Sequence, residues 1–265
     1  MKKQMPNEFV FHMFALLISV ILVHSIYLTV IRPNADAITL AQRAEIATNP
    51  DYVPERSFYV IVQDFEQESC FILMLWAFSM LAYKAMSANR ERKLLQQEFV
   101  PIAAGMKILP ADTREYSRSL QSLPDDERRL LLPRVLLAAL SRFGTTRNVQ
   151  DVSSSAHTLV SNEAERLESE LSMIRYIAWA IPSIGFIGTV RGIGSALAQA
   201  HRAVEGDISG VTENLGVAFN STFIALLISI VLMFLVHQLQ LLQERLVFDT
   251  ENYVDENVIR HMQSD

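Results

Sequence analysis

The chain has 265 residues, half of them apolar, and a formal net charge of -6. The mild acidic excess excludes the basic footprint of a nucleic-acid binder. One cysteine, Cys70, excludes an internal disulfide and any cysteine-based metal cluster. So much apolar content beside many charges suits a membrane protein with a soluble part.

Four segments qualify as membrane spans, which need roughly 20 apolar residues each. The first, residues 9–31, has no Asp, Glu, Lys or Arg. Lys2, Lys3 and Ala35-Asp36-Ala37 imitate a signal peptide. The apolar run is longer than a signal core, so residues 1–31 read as an uncleaved anchor. His12 and His24 within it read as packed or interfacial side chains.

An outer loop follows over 32–69, with Pro33, Pro50 and Pro54 as breakers and an acidic approach through Asp64, Glu66 and Glu68. The second span covers 70–86 and opens on Cys70, which reads as a buried thiol. Residues 87–175 read as a helical cytoplasmic domain. There, Pro124-Asp125-Asp126-Glu127 starts a helix. Its apolar face runs through Leu130, Leu131, Leu132, Val135, Leu136, Ala139 and Leu140, and Phe143-Gly144 ends it. A second pattern from Val149 leads as one long helix into the third span, 176–200. The fourth span covers 214–236 and continues past the membrane through Leu239, Leu242 and Leu246. The expected fold is an all-α membrane protein with four transmembrane helices that extend into a cytoplasmic helical domain.

Lys and Arg in the loops orient the chain. Residues 87–172 carry twelve, whereas 32–69 carries three against seven acids. Both chain ends and the 87–175 domain are therefore placed in the cytoplasm. The loops 32–69 and 201–213 face outward, and residues 237–265 form a cytoplasmic tail.

Catalytic chemistry is hard to place here. The histidines are scattered, Ser153-Ser154-Ser155 has no base nearby, and Gly185-Phe186-Ile187-Gly188 lies inside an apolar helix rather than in a phosphate loop. The reading is not an enzyme, with no cofactor and no metal. What remains is two small, polar helix faces. On the third span, Pro182, Gly185, Thr189, Gly192 and Ala196 recur at three and four, with Gly188 close by. On the fourth, Ala218, Thr222, Ala225 and Ser229 do the same, with Asn220 and Ser221 adjacent. Each threonine is either packing glue or an oxygen ligand along an ion path. Arg191 is a costly charge in hydrocarbon. It either reaches outward to the surface or pairs with an acid such as Glu213 or one on a partner.

The stretch ERLESELSMIRYIAWAIPSIGFIGTVRGIGSALAQA resembles the second membrane helix, with its lead-in, of the MotA/TolQ/ExbB proton-channel family. LGVAFNSTFIALLIS resembles that family's following helix. The resemblance is specific over residues 165–235, extends back to about residue 65, and leaves out the first span. It implies a homopentamer around two copies of a single-span protein similar to MotB, TolR or ExbD, whose membrane aspartate completes the ion site. Thr189 and Thr222 match the family's two threonines, with Asn220 and Ser221 beside them. Gly185, Gly188, Gly192, Ala218 and Ala225 then serve helix packing and oligomer contacts. The resemblance further implies that the transported ion is H+ or Na+ and that ion flow drives mechanical work in a bacterial inner membrane. Two departures stand out. Val217 occupies a glutamate position of ExbB-like members, where Glu213 lies one turn further out, and Arg191 occupies a frequent tryptophan position. The alternative is a non-conducting membrane scaffold that assembles a partner complex.

Overall fold

The computed structural model describes residues 7–49, 52, 55–102 and 106–263. These residues are overwhelmingly helical. Their one β pairing is a parallel bridge between Ile108 and Met262. Four helical stretches are long and apolar enough to cross a membrane: Phe9–Ile46, Phe65–Leu94, Val149–Ala198 and Ser209–His261. The chain divides into two compact units, Met1–Leu81 with Met173–Val236, and Ala82–Ser172 with His237–Asp265.

In the first unit, α1 (Asn7–Ile26) passes through a π-helical turn (Tyr27–Ile31) into α2 (Arg32–Thr48). Pro33 therefore does not break the chain, and much of the expected outer loop is helix. The physical reason lies in the π turn. Arg32 N–H bonds back five residues to Tyr27 O, and the register shift puts Pro33 in the first turn of α2. A proline there forfeits no hydrogen bond that a first turn would make. A short α3 (Phe58–Val62) precedes α4 (Phe65–Leu94), which starts before the expected span and ends after it.

The other two long helices of this unit are α9 (Ser172–Ala198) and the first part of α11 (Ser209–Asn257), joined by α10 (Ala200–Val204). The buried face of α9 is Ile174, Ile177, Ala178, Ile181, Gly185, Gly188, Gly192 and Ala196, a three-and-four spacing. Its other faces expose Trp179, Phe186, Ile187, Val190 and Leu197. Exposed apolar surface of that extent suits lipid or neighbouring helices rather than water.

The second unit is a helical core. It contains α5 (Thr113–Gln121), α6 (Asp125–Arg128), α7 (Leu131–Thr146), α8 (Val149–Glu170) and the end of α11. Leu131, Leu132, Val135, Leu136, Ala139, Leu140 and Phe143 of α7 pack with Val152, Ala156 and Val160 of α8, with Val254 of α11 and with Val258 just beyond it. Burying each leucine contributes about 1.5–3 kcal/mol. The expected single helix from Pro124 is two helices. Continuing from α6 would set the Pro133 ring against a carbonyl four residues back, so the chain restarts with Pro133 in the first turn of α7.

Gly144 does not end α7. The helix runs to Thr146, and Arg147 takes the left-handed conformation, its N–H bonding Phe143 O at 2.9 Å. Gly144 is small for another reason: a Cβ there would lie 2.7 Å from Thr113 Oγ1 on α5. Asn148 then caps α8, its side-chain oxygen accepting from Gln150 N at 2.9 Å. Between α8 and α9 the helix is interrupted at Leu171 by a tightened turn, where Leu171 N–H bonds Glu168 O at 3.2 Å.

Candidate functional site

The site lies in the first unit, where α9, α11 and the start of α4 meet. Glycine makes the close approach of α9 and α11 feasible. A Cβ on Gly185 would lie 2.5 Å from Ala225 Cβ. One on Gly192 would lie 2.7 Å from Ala218 Cβ and 2.8 Å from Ala218 N and Asn214 O. Backbone cannot yield as a flexible side chain can, so these positions admit nothing larger than glycine. Gly185, Gly188 and Gly192 therefore pack against α11 of the same chain, with Ala218 and Ala225 opposite them. The small faces of α9 and α11 thus meet each other within one molecule.

Pro182 sits inside α9 and lacks the N–H that would bond Ala178 O. Ser229 of α11 donates to that carbonyl at 2.9 Å. A freed carbonyl in an apolar setting must be satisfied from a neighbour, and Ser229 does so.

At the centre of the contact, Thr189 and Thr222 hydrogen-bond through their hydroxyls. Thr189 Oγ1 also lies 3.0 Å from Ala218 O, and Thr222 Oγ1 lies 3.1 Å from Gly185 O. Both side chains are half-buried. Ser221 is buried and donates to Val217 O at 2.9 Å. Asn220 is half-buried, and the structure gives it no hydrogen bond.

Arg191 does not pair with Glu213. Glu213 meets Arg43 of α2, at 2.8 and 3.1 Å, on an exposed surface. Arg191 instead takes both oxygens of Glu66, Nε to Oε1 at 2.7 Å and Nη2 to Oε2 at 2.8 Å, with Asp64 Oδ1 at 3.4 Å. Such a planar fork is the strong form of a guanidinium–carboxylate contact. Burial holds the Asp64 carboxyl above its ordinary range, against the opposing pull of Arg191. The next acid, Glu68, is buried. It accepts from Arg32 at 2.5 Å and meets His24 Nδ1 at 2.6 Å. His24 is thus part of a charged cluster rather than only an interfacial side chain. Sequence reasoning missed these pairings because 125 residues separate Glu66 from Arg191. The available signal was a run of acids just ahead of a span that shares a membrane with one arginine.

Among the described residues, no group of three or more His, Cys, Asp or Glu side chains is arranged to hold a metal ion. Cys70 is fully buried, with its sulfur 3.7 Å from Ile181 O.

Fold and site together define a multi-pass helical membrane protein whose polar groups converge on one helix–helix contact. Residues 127–252 match the model of the MotA/TolQ/ExbB proton channel family. The match takes in α7, α8, α9 and most of α11, with both threonines. It stops short of α4, to which the resemblance read from the sequence extended. Over the matched stretch the chain is similar to this family, which supports a membrane subunit of ion-channel type. No curated protein and no solved structure matches the chain.

Proposed function

We propose that the chain is the ion-conducting subunit of a motor complex in a bacterial inner membrane. It carries protons past the Thr189–Thr222 pair, with both chain ends in the cytoplasm. Five copies surround two copies of a single-span protein of the MotB, TolR or ExbD type. Ion flow turns one against the other and so converts ion-motive force into mechanical work. The observation that carries this reading is the hydroxyl pair itself, two neutral oxygens brought together inside the stretch that matches a proton-channel family. Neither 176–200 nor 214–236 holds a carboxylate. A proton relay usually needs one, and the partner's aspartate supplies it. With the small faces occupied inside each molecule, ring contacts fall to the exposed faces around Phe186, Val190, Phe219 and Phe223.

A second reading, a non-conducting scaffold, draws on a different observation. Each threonine hydroxyl also reaches a main-chain carbonyl of the facing helix, as packing glue would. Reconstituting the complex with its partner in vesicles and measuring proton flux separates the two. A conducting subunit passes protons down an imposed gradient, and a scaffold does not.

A further inference from the structure

The first turn of α4 places an acid against the threonine contact. Glu66 is 11% exposed at its side chain. Its Cγ lies 3.2 Å from the point where a Cβ on Gly188 would stand, and Ser221 Oγ lies 2.7 Å from the same point. Glu66 and Ser221 are therefore neighbours across the gap that Gly188 leaves open. Thr189 follows Gly188 in α9, and Thr222 follows Ser221 in α11.

The charges around Glu66 do not balance. Asp64 and Glu66 share one guanidinium, that of Arg191. Glu68, on the same helix, is matched separately by Arg32 and His24. The thiol of Cys70 is the other titratable group facing Glu66, and α11 contributes the Ser221 hydroxyl and no charge. Against the three carboxylates stand two guanidinium groups, so the third negative charge is matched only by a proton, on His24 or on a carboxyl. Independently, three oxygens in this region are buried with no partner: Asp64 Oδ2, the Tyr27 hydroxyl and Gln67 Oε1, the last on a fully buried side chain. Buried acceptors without a donor are costly. A proton on a carboxyl or on water supplies the donor they lack.

We propose that Glu66 is a proton-relay carboxylate of this chain, taking up a hydrated proton beside Gly188 and Ser221 with Arg191 as its releasable counter-charge. The inference rests on the proton-conducting reading above and adds to it a proton site that the chain itself provides. The carboxylate accepts a proton from a hydronium ion and leaves water. Neutral Glu66 loosens its hold on the guanidinium, which keeps Asp64. The protonated side chain lies beside the gap at Gly188 that Ser221 also borders, and the proton passes on to a water or to the partner's acid. Its departure restores the carboxylate and the ion pair, so one proton enters and one leaves.

The test is proton flux into vesicles holding the complex purified with its partner, followed with a trapped pH dye across a range of outside pH. Glu66→Gln should lower flux at least tenfold. Glu66→Asp should keep flux but displace its pH limb. Arg191→Gln, which removes the counter-charge of the fork, should displace the limb. A purely structural role would lower flux at every pH and leave the limb in place, which overturns the relay. Full flux in Glu66→Gln, while Thr222→Val abolishes it, overturns the relay and leaves the channel reading standing. Flux carried by Na+ and indifferent to pH also overturns the relay. No flux from the wild type overturns both. If Glu66→Gln fails to assemble, the limbs of the Asp and Arg191→Gln variants decide.

Discussion

The hydroxyl of Thr189 on α9 hydrogen-bonds the hydroxyl of Thr222 on α11, and each also lies within reach of a carbonyl on the facing helix. Two hydroxyl protons thus face three acceptor directions, so the pair cannot satisfy every contact at once. Such a pair can change partners without moving its helices. Hydrogen bonds between membrane helices contribute only about 0.6 kcal/mol on average.

Thr222→Val should therefore leave the melting of the detergent-purified protein almost unchanged, a loss of about 1 kcal/mol or less. Thr222→Ser, which keeps the hydroxyl, should match the wild type. A collapse of the fold in Thr222→Val would make the hydroxyl a structural requirement.

The glycines of α9 divide into two kinds. Gly192→Ala drives a Cβ to within 2.8 Å of backbone atoms of Asn214 and Ala218, and overpacking of this kind costs about 1–3 kcal/mol. Gly194 faces open space, with nothing within 4 Å of a Cβ. Gly194→Ala should be neutral or stabilising by about 0.5–1 kcal/mol through helix propensity. Thermal unfolding of both variants checks the contrast. Equal effects would contradict the packing described for α9 against α11.

Ser229 and Pro182 form a compensated pair. Ser229→Ala removes the donor to Ala178 O and should cost about 1–3 kcal/mol for a stranded carbonyl. Pro182→Ala restores the N–H that bonds Ala178 O within α9, so in that background Ser229→Ala should cost little. A double-mutant cycle on unfolding measures the coupling. Simple additivity would mean that Ser229 does not act on the proline's free carbonyl.

Arg191→Lys keeps the charge and loses the fork to Glu66. Losing one charge-assisted hydrogen bond, about 1.5–3 kcal/mol, corresponds to roughly tenfold or more in rate. Activity of the complex should fall by that order while expression stays normal. Unchanged activity would return Arg191 to a side chain that merely reaches the surface.

Much of this architecture is legible in the sequence because it rests on local pattern. Apolar length marks the four long helices, and the three-and-four spacing of Gly185, Thr189 and Gly192 puts them on one face. The α7 core face from Leu131 to Leu140 follows from the same periodicity. Other features depend on contacts that no local pattern encodes. Pro33 reads as a breaker until the π turn at Tyr27–Ile31 is seen to absorb it. Gly144 reads as a helix end until Thr113 is seen against it. Glu213 reads as a partner for Arg191 because it opens the next helix, yet Arg43 takes it and Glu66 takes the arginine. Each of these turns on residues distant in the chain, or on a backbone register that composition does not reveal.

The most direct test of the account is proton flux through the complex reconstituted with its partner, wild type against Thr222→Val. The account predicts a measurable wild-type flux that falls at least tenfold in the variant, equivalent to about 1.4 kcal/mol or more of added barrier, with assembly intact. A wild type that carries no protons, or a variant that carries them at the wild-type rate, would contradict it.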